Sequence, residues 1–223
     1  MPPESFSKQC KRMKKIIILL KREYPDSKCS LHYKSPFQLM VATILSAQCT
    51  DKRVNKVTGG LFRKYPLARD FSELPLETIK KEIFSTGFYN NKAKSIKGMA
   101  RIIVEKYGGE LPDDLEEMVK LPGVGRKTAN VVLGNVYNIP SVVVDTHVTR
   151  ITNLLKFVKT RDAEKIERGL MKIINQNDWT LFAHLIIDHG RLICVANRPK
   201  CGECIISELC PSNKGDHRYA TSY

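Results

Sequence analysis

The stretch that most restricts how this chain can fold runs from Leu121 to Asp145, LPGVGRKTANVVLGNVYNIPSVVVD. Pro122, Gly123 and Gly125 fall within four residues and force a tight turn. A helical run follows at once, from Arg126 to about Val136. The first amide groups of such a helix lack intrahelical acceptors, and the helix dipole adds partial positive charge at the same end. Together they make a grip for phosphate. Gly123 and Gly125 carry no Cβ, so a nucleic-acid backbone can come close and unusual φ values cost little. Lys127 stands on the first turn of the helix, and Asp145 closes the loop that follows it. An amine and a carboxylate flanking a phosphate-gripping turn form a plausible chemical site. Each also has a plain reading: a solvated lysine on a basic helix, and the N-cap of a helix beginning THVTRITNLL. The pairing of the two around LPGVG weighs toward chemistry.

The rest of the chain reads as helices. Residues 6–24 are basic and amphipathic, ending near Pro25. Ser35-Pro36 is an N-cap with a first-turn proline, opening PFQLMVATILSAQ, which is apolar nearly all round and so predicts a buried central helix. Asp51 is a candidate cap for residues 51–65, where Gly59-Gly60 weakens the second half. Pro75 starts LETIKKEIFS and Gly87 stops it; residues 91–107 form a further helix ended by Gly108-Gly109. Asp113 to Lys120 is a short helix, so residues 113–136 read as helix, glycine hairpin, helix. Helices over 146–157, 162–175 and 178–193 complete the set. Only Val142 to Val144 has strand character, too little for a sheet. The expectation is an all-α protein of about ten helices with short connections.

Lys and Arg number 37 against 23 Asp and Glu, a formal charge of +14. Such an excess fits a polyanionic partner, most often nucleic acid. The longest early apolar run, Ile16 to Leu20, is short and flanked by Lys14, Lys15, Lys21 and Arg22, which excludes a membrane span there. No small-residue cleavage site follows it, so no signal peptide is evident. An intracellular location is expected, and with it cysteines used for metal or as free thiols rather than disulfides.

Four of the seven cysteines, Cys194, Cys201, Cys204 and Cys210, lie within 17 residues with gaps of six, two and five. Four thiols this close can wrap one tetrahedral metal or one cubane cluster. Zinc shares the C-x₂-C element, but zinc ribbons usually space two such knuckles widely. A single knuckle, with Pro211 after the last cysteine, favours [4Fe–4S] over zinc. Arg198 and Lys200 sit in the loop between the first two cysteines, where a fixed loop presents both cations to phosphate; a solvated basic loop is the alternative. Cys10, Cys29 and Cys49 are isolated and read as packing residues.

LPGVGRKTANVVL, then VDTH, then C-x₆-C-x₂-C-x₅-C, together with LSAQCTD at 45–51 and TGFYNNKA at 86–93, resembles the endonuclease III family of DNA glycosylases with abasic-site (AP) lyase activity. The likeness runs from about Pro36 to Pro211. It implies two helical domains with the active site in the cleft between them: a six-helix domain over 29–139, and a discontinuous iron–sulfur domain of 1–28 plus 140–223. It places Lys127 on the family's catalytic lysine and Asp145 on its catalytic aspartate. Gln48 falls on the residue that fills the gap left by an extruded base. Phe88 falls on the apolar residue that wedges the opposite strand, a position usually aliphatic. Gly123, Gly125 and Arg126 would grip backbone, and the four cysteines would hold the cluster. The thymine-mismatch relative carries tyrosine where Lys127 stands, so Lys127 points to the bifunctional branch. The implied partner is double-stranded DNA bearing a damaged base, with oxidised pyrimidines the family expectation, or an abasic site. The protein is expected to be monomeric and to act in the cytoplasm or nucleoid, or in the nucleus of a eukaryote.

The proposed chemistry flips the nucleotide out, attacks C1′ with the Lys127 amine, and cleaves the strand by β-elimination. A nucleophilic lysine has to be neutral, which desolvation, a helix N-terminus and Arg126 favour and a close carboxylate opposes. Asp145 is therefore expected to act on positive charge at the sugar. His147 and Arg150 read as cap and surface charge, and Asp51 as a cap that could also tune the site. The rivals are a DNA-binding module that grips but does not cut, a monofunctional mismatch glycosylase, and a cluster-based electron carrier.

Overall fold

The computed structural model describes residues 4–213. In chain order the helices are α1 (Phe6–Glu23), α2 (Pro36–Leu45), α3 (Asp51–Lys64), α4 (Ala68–Glu73), α5 (Leu76–Ile83), α6 (Tyr89–Tyr107), α7 (Leu115–Met118), α8 (Arg126–Val136), α9 (Thr146–Leu154), α10 (Ala163–Ile173) and α11 (Trp179–Leu192). Single 3-10 turns occur at Phe84–Thr86, at Gln176–Asp178 and around the last three cysteines. The described residues contain no strand, and no helix among them is long and apolar enough to cross a membrane. The fold is all-α. Two compact units divide the chain: Ser30–Ile139, and Met1–Cys29 with Pro140–Tyr223.

The first unit is built around α2. Every residue from Phe37 to Leu45 is buried, and the helix packs on α3, α6 and α8. Ser35 accepts the Gln38 amide at its start and Pro36 occupies the first turn, where a missing N–H costs nothing. Each such buried aliphatic contributes about 1.5–3 kcal/mol. α4 has no clear sequence signature. It is six residues long, with Ala68 and Phe71 its only buried positions, too short to show a period. Phe71 is fully buried, edge-on to Phe37 and Tyr65, and the Asp70 carboxylate accepts the Leu67 amide to start the turn. Lys97 of α6 closes the other end by donating to the Ser72 and Leu74 carbonyls.

Two local expectations need correcting. α3 is capped by Thr50, which accepts the Arg53 amide, while Asp51 accepts the Ser30 hydroxyl at 2.6 Å. Gly59 and Gly60 do not break α3: its buried stripe of Val54, Thr58 and Leu61 carries the helix past them.

In the second unit, α1 buries Met13, Ile16, Ile17 and Leu20, an i, i+3, i+4, i+7 stripe, against α10 and α11. Arg12 joins the two separated segments. Its guanidinium donates to the Leu155 and Leu209 carbonyls, lies 4.0 Å from the centre of the Phe157 ring and pairs with Glu4. α9 and α11 cross at Gly190, where an added Cβ would stand 2.4 Å from His147 Nδ1. Val142 to Val144 are buried but form no strand.

Candidate nucleic-acid interface and thiol loop

The hairpin is assembled on α6. α7 is shorter than the 113–120 helix that its sequence suggested: it is capped by Asp114, whose carboxylate accepts the Glu117 amide, and ends at Met118. Glu117 then takes Lys106, Lys120 and the Tyr107 hydroxyl, and these donors, Lys106 foremost, hold its carboxyl down to about 2. Tyr137, just past α8, donates to the Leu111 carbonyl and ties the far side. Between the helices, Val124 donates to Leu121 across the turn. Pro122 lies where a Cβ on Gly98 would meet it at 3.3 Å.

The two turn glycines do different things. Gly123 has φ +76, and a Cβ there would meet the Ser95 Cβ at 2.5 Å. Gly125 is the N-cap of α8 with φ −94, open to any residue, and nothing lies within 4 Å of a Cβ placed on it. It supplies no side-chain cap, so the first-turn amides of α8 have no N-cap side chain to bond to. Gly123, Gly125, Arg126 and Lys127 are all exposed. The Lys127 amine has no hydrogen bond or ion pair among the described residues. In the same unit, Gln48 and Phe88 are exposed and both adopt left-handed backbone, φ 52 and φ 48. Phe88 is 61% exposed, unusual for an aromatic on a strained residue.

Asp145, in the other unit, is the N-cap of α9: its Oδ1 accepts the Val148 amide at 2.8 Å. The cap reading of this carboxylate is thus correct. The second oxygen accepts nothing among the described residues.

Cys194, Cys201, Cys204 and Cys210 line a single cavity of about 40 Å³, walled by Ile151, Leu155 and Ile206. Burial pushes the Cys204 thiol up to about 11 and raises Cys201 and Cys210 too, a cost that a bound cation reverses. Arg150 is not surface charge as its sequence position suggested. It is buried, and donates to the Cys194 carbonyl at 2.5 Å and toward its Sγ at 3.5 Å. His189 is buried with Nε2 3.5 Å from Cys204 Sγ and Nδ1 3.0 Å from the Tyr24 hydroxyl. Burial, with Arg150 adding to it, lowers this imidazole to about 4, while burial raises the Tyr24 phenol to about 12. His189 thus bridges the Tyr24 hydroxyl and the Cys204 sulfur, one ring nitrogen on each. Lys200 donates its amide to Ile193 to close the loop, and its side chain and that of Arg198 are exposed. Tyr24 and His189 left no trace in the sequence pattern, because neither lies near the cysteines in a recognisable spacing.

Residues 41–176 match the model of the HhH-GPD superfamily of base excision DNA repair proteins. Endonuclease III of Synechocystis sp. is 52% identical over 202 residues, covering 90% of this chain and 92% of the relative. A solved non-covalent endonuclease III–DNA complex is 41% identical with a TM-score of 0.88, covering 94% of this chain and 98% of that one. A trapped endonuclease III–DNA covalent intermediate gives 41% and 0.87, covering 92% and 97%. The chain belongs to the HhH-GPD superfamily of base excision DNA repair proteins, as an endonuclease III-like DNA glycosylase and abasic-site lyase.

Proposed function

We propose that this protein acts on double-stranded DNA, removing oxidised pyrimidines and then cutting the strand 3′ to the abasic sugar, with Lys127 as nucleophile. The observation that carries the assignment is the exposed, unpartnered Lys127 amine one residue past the start of α8, a helix N-terminus with no side-chain cap and so suited to phosphate. The neutral amine attacks C1′, the C1′–N bond breaks, and the base leaves with the bonding electrons and takes up a proton. The lysine nitrogen, having lost its extra proton, then pushes open the sugar: the C1′–O4′ bond breaks, O4′ takes up a proton, and the open-chain C1′ imine acidifies C2′; loss of that proton expels the 3′ phosphate, and water then releases the lysine. Asp145 stabilises positive charge as it develops at the sugar, using the oxygen that the α9 cap leaves over. Gln48 and Phe88 enter the duplex, while Arg126, Arg198 and Lys200 neutralise backbone phosphate. The protein works where chromosomal DNA is, in the cytoplasm or nucleoid.

A panel of duplexes carrying single lesions, scored separately for base loss and for nicking, tests this reading. Oxidised pyrimidines should be the best substrates, with both products formed. Base loss without nicking, or binding without either, would overturn it. Asp145→Asn separates cap from chemistry, because asparagine caps as well as aspartate. Its stability should stay within about 0.5 kcal/mol of the parent, while base excision falls about 10²-fold or more. An equal loss of both would leave Asp145 only the cap.

We further propose that the four thiols hold a [4Fe–4S] cluster. They ring one cavity, and the single C-x₂-C knuckle with Pro211 after the last cysteine suits a cluster better than a zinc ribbon. The Arg150 and His189 contacts to sulfur suit thiolates around a cluster. When bound, the cluster cross-links the last loop and supplies no step of base removal. The purified protein should be brown and release iron and sulfide in equal amounts; stoichiometric zinc would reject the assignment.

A further inference from the structure

Lys92 is one of the few charged groups buried in the first unit, 4% exposed, and the mechanism above makes no use of it. Its ammonium donates to the Leu45 carbonyl at 2.7 Å and to the Thr86 carbonyl at 2.9 Å. Its own amide donates to the Phe88 carbonyl at 3.1 Å. Leu45 is the last residue of α2, three before Gln48, and Thr86 ends a 3-10 turn, two before Phe88. A cation at the C-terminus of α2 satisfies an orphan carbonyl and meets the negative end of the helix dipole. The same cation pins the second loop. The two loops so joined carry the exposed left-handed residues Gln48 and Phe88, and a left-handed non-glycine persists only where its surroundings hold it. Both carbonyls are served whether the amine is charged or neutral, since two N–H groups suffice.

We propose that Lys92 is a positioning residue for base extrusion: it clamps the loops of Gln48 and Phe88 together, so that both enter the duplex as one rigid unit. This rests on the reading that Gln48 and Phe88 enter DNA. The clamp explains why a lysine is buried at a cost when an apolar residue would fill the space. It also explains why two separate loops share one donor.

Lys92→Met keeps the length and removes the donor. Excision of a damaged base from duplex DNA should fall between about 10- and 100-fold, the order expected when a supporting group shifts reacting parts by about an ångström. The increase in fluorescence of 2-aminopurine placed at the lesion, which reports extrusion, should fall with it. Cleavage of a single-stranded abasic oligonucleotide, where no base has to leave a stack, should stay within about twofold. A Lys92→Gln variant, which retains an N–H donor, should lie between parent and Lys92→Met and serves if the latter does not fold. Parallel losses on duplex and single strand, in whichever variant folds, would make Lys92 a stability residue and overturn the clamp. So would undiminished duplex excision by a folded Lys92→Met. Gln48→Ala/Phe88→Ala separates the two ideas. If that variant loses duplex excision and Lys92→Met does not, the clamp fails and the insertion reading stands. If it loses nothing, the insertion reading fails and the clamp with it. If both readings hold, adding Lys92→Met to it costs little more, because the two act through one step.

Discussion

Lys127→Ala should abolish the covalent protein–DNA adduct that borohydride traps on an abasic duplex, and lower base excision by about 10³-fold or more. The side chain is exposed and bonds to nothing among the described residues, so the fold should not notice the loss. Melting should shift by no more than about 1–2 °C, the equivalent of a surface substitution in a chain of this size. Lys127→Arg is the sharper test. Arginine keeps a permanent positive charge and binds phosphate at least as well as lysine, yet cannot shed its proton to attack C1′. If Lys127 only grips backbone, Lys127→Arg should cut and trap as the parent does. If it is the nucleophile, DNA affinity is retained and trapping vanishes. An adduct that persists in both variants would move the Schiff base to another amine and dismantle the mechanism.

What could be read from residues alone follows the range of the forces involved. α2 was legible because a ten-residue run, apolar but for Gln38 and Thr43, with a Ser-Pro start states its own burial. The hairpin was legible because turn chemistry is local: Pro122 and the glycines specify it within a few residues. α4 was invisible, since its reason for existing is the contact of Phe71 with Phe37 and Tyr65 rather than any period of its own. The cap of α3 fell one residue from expectation because Thr50 and Asp51 are both good caps, and a hydroxyl 21 positions away engages Asp51. Arg150 and Lys92 were missed for the same reason on a larger scale. One binds a cysteine 44 residues on and the other a carbonyl 47 residues back. Neither pairing leaves a pattern in the chain, and a buried cation betrays itself only when its acceptors are seen.

The two hairpin glycines should fail in different ways when given a methyl group. Gly123→Ala puts a Cβ against the Ser95 Cβ, which is anchored to α6 and cannot swing aside, and holds alanine at φ +76. Left-handed backbone costs about 1–2 kcal/mol for an L-residue and an overpacked contact about 1–3 kcal/mol more. Thermal melting should therefore fall by roughly 5–15 °C, and DNA binding should fall with it. Gly125→Ala meets open space at an ordinary φ and loses only an N-cap preference of about 1 kcal/mol or less. Nothing in the protein forbids the substitution, so any large effect has to come from what lies outside it. If DNA backbone seats on the α8 N-terminus, the added methyl stands where the phosphate approaches. Affinity should then drop about 10-fold or more while the melt barely moves, and the salt dependence of binding should flatten as a phosphate contact is lost. Unchanged binding by Gly125→Ala would mean that the turn glycines serve folding alone, and the phosphate grip would have to be sought on another surface of the protein.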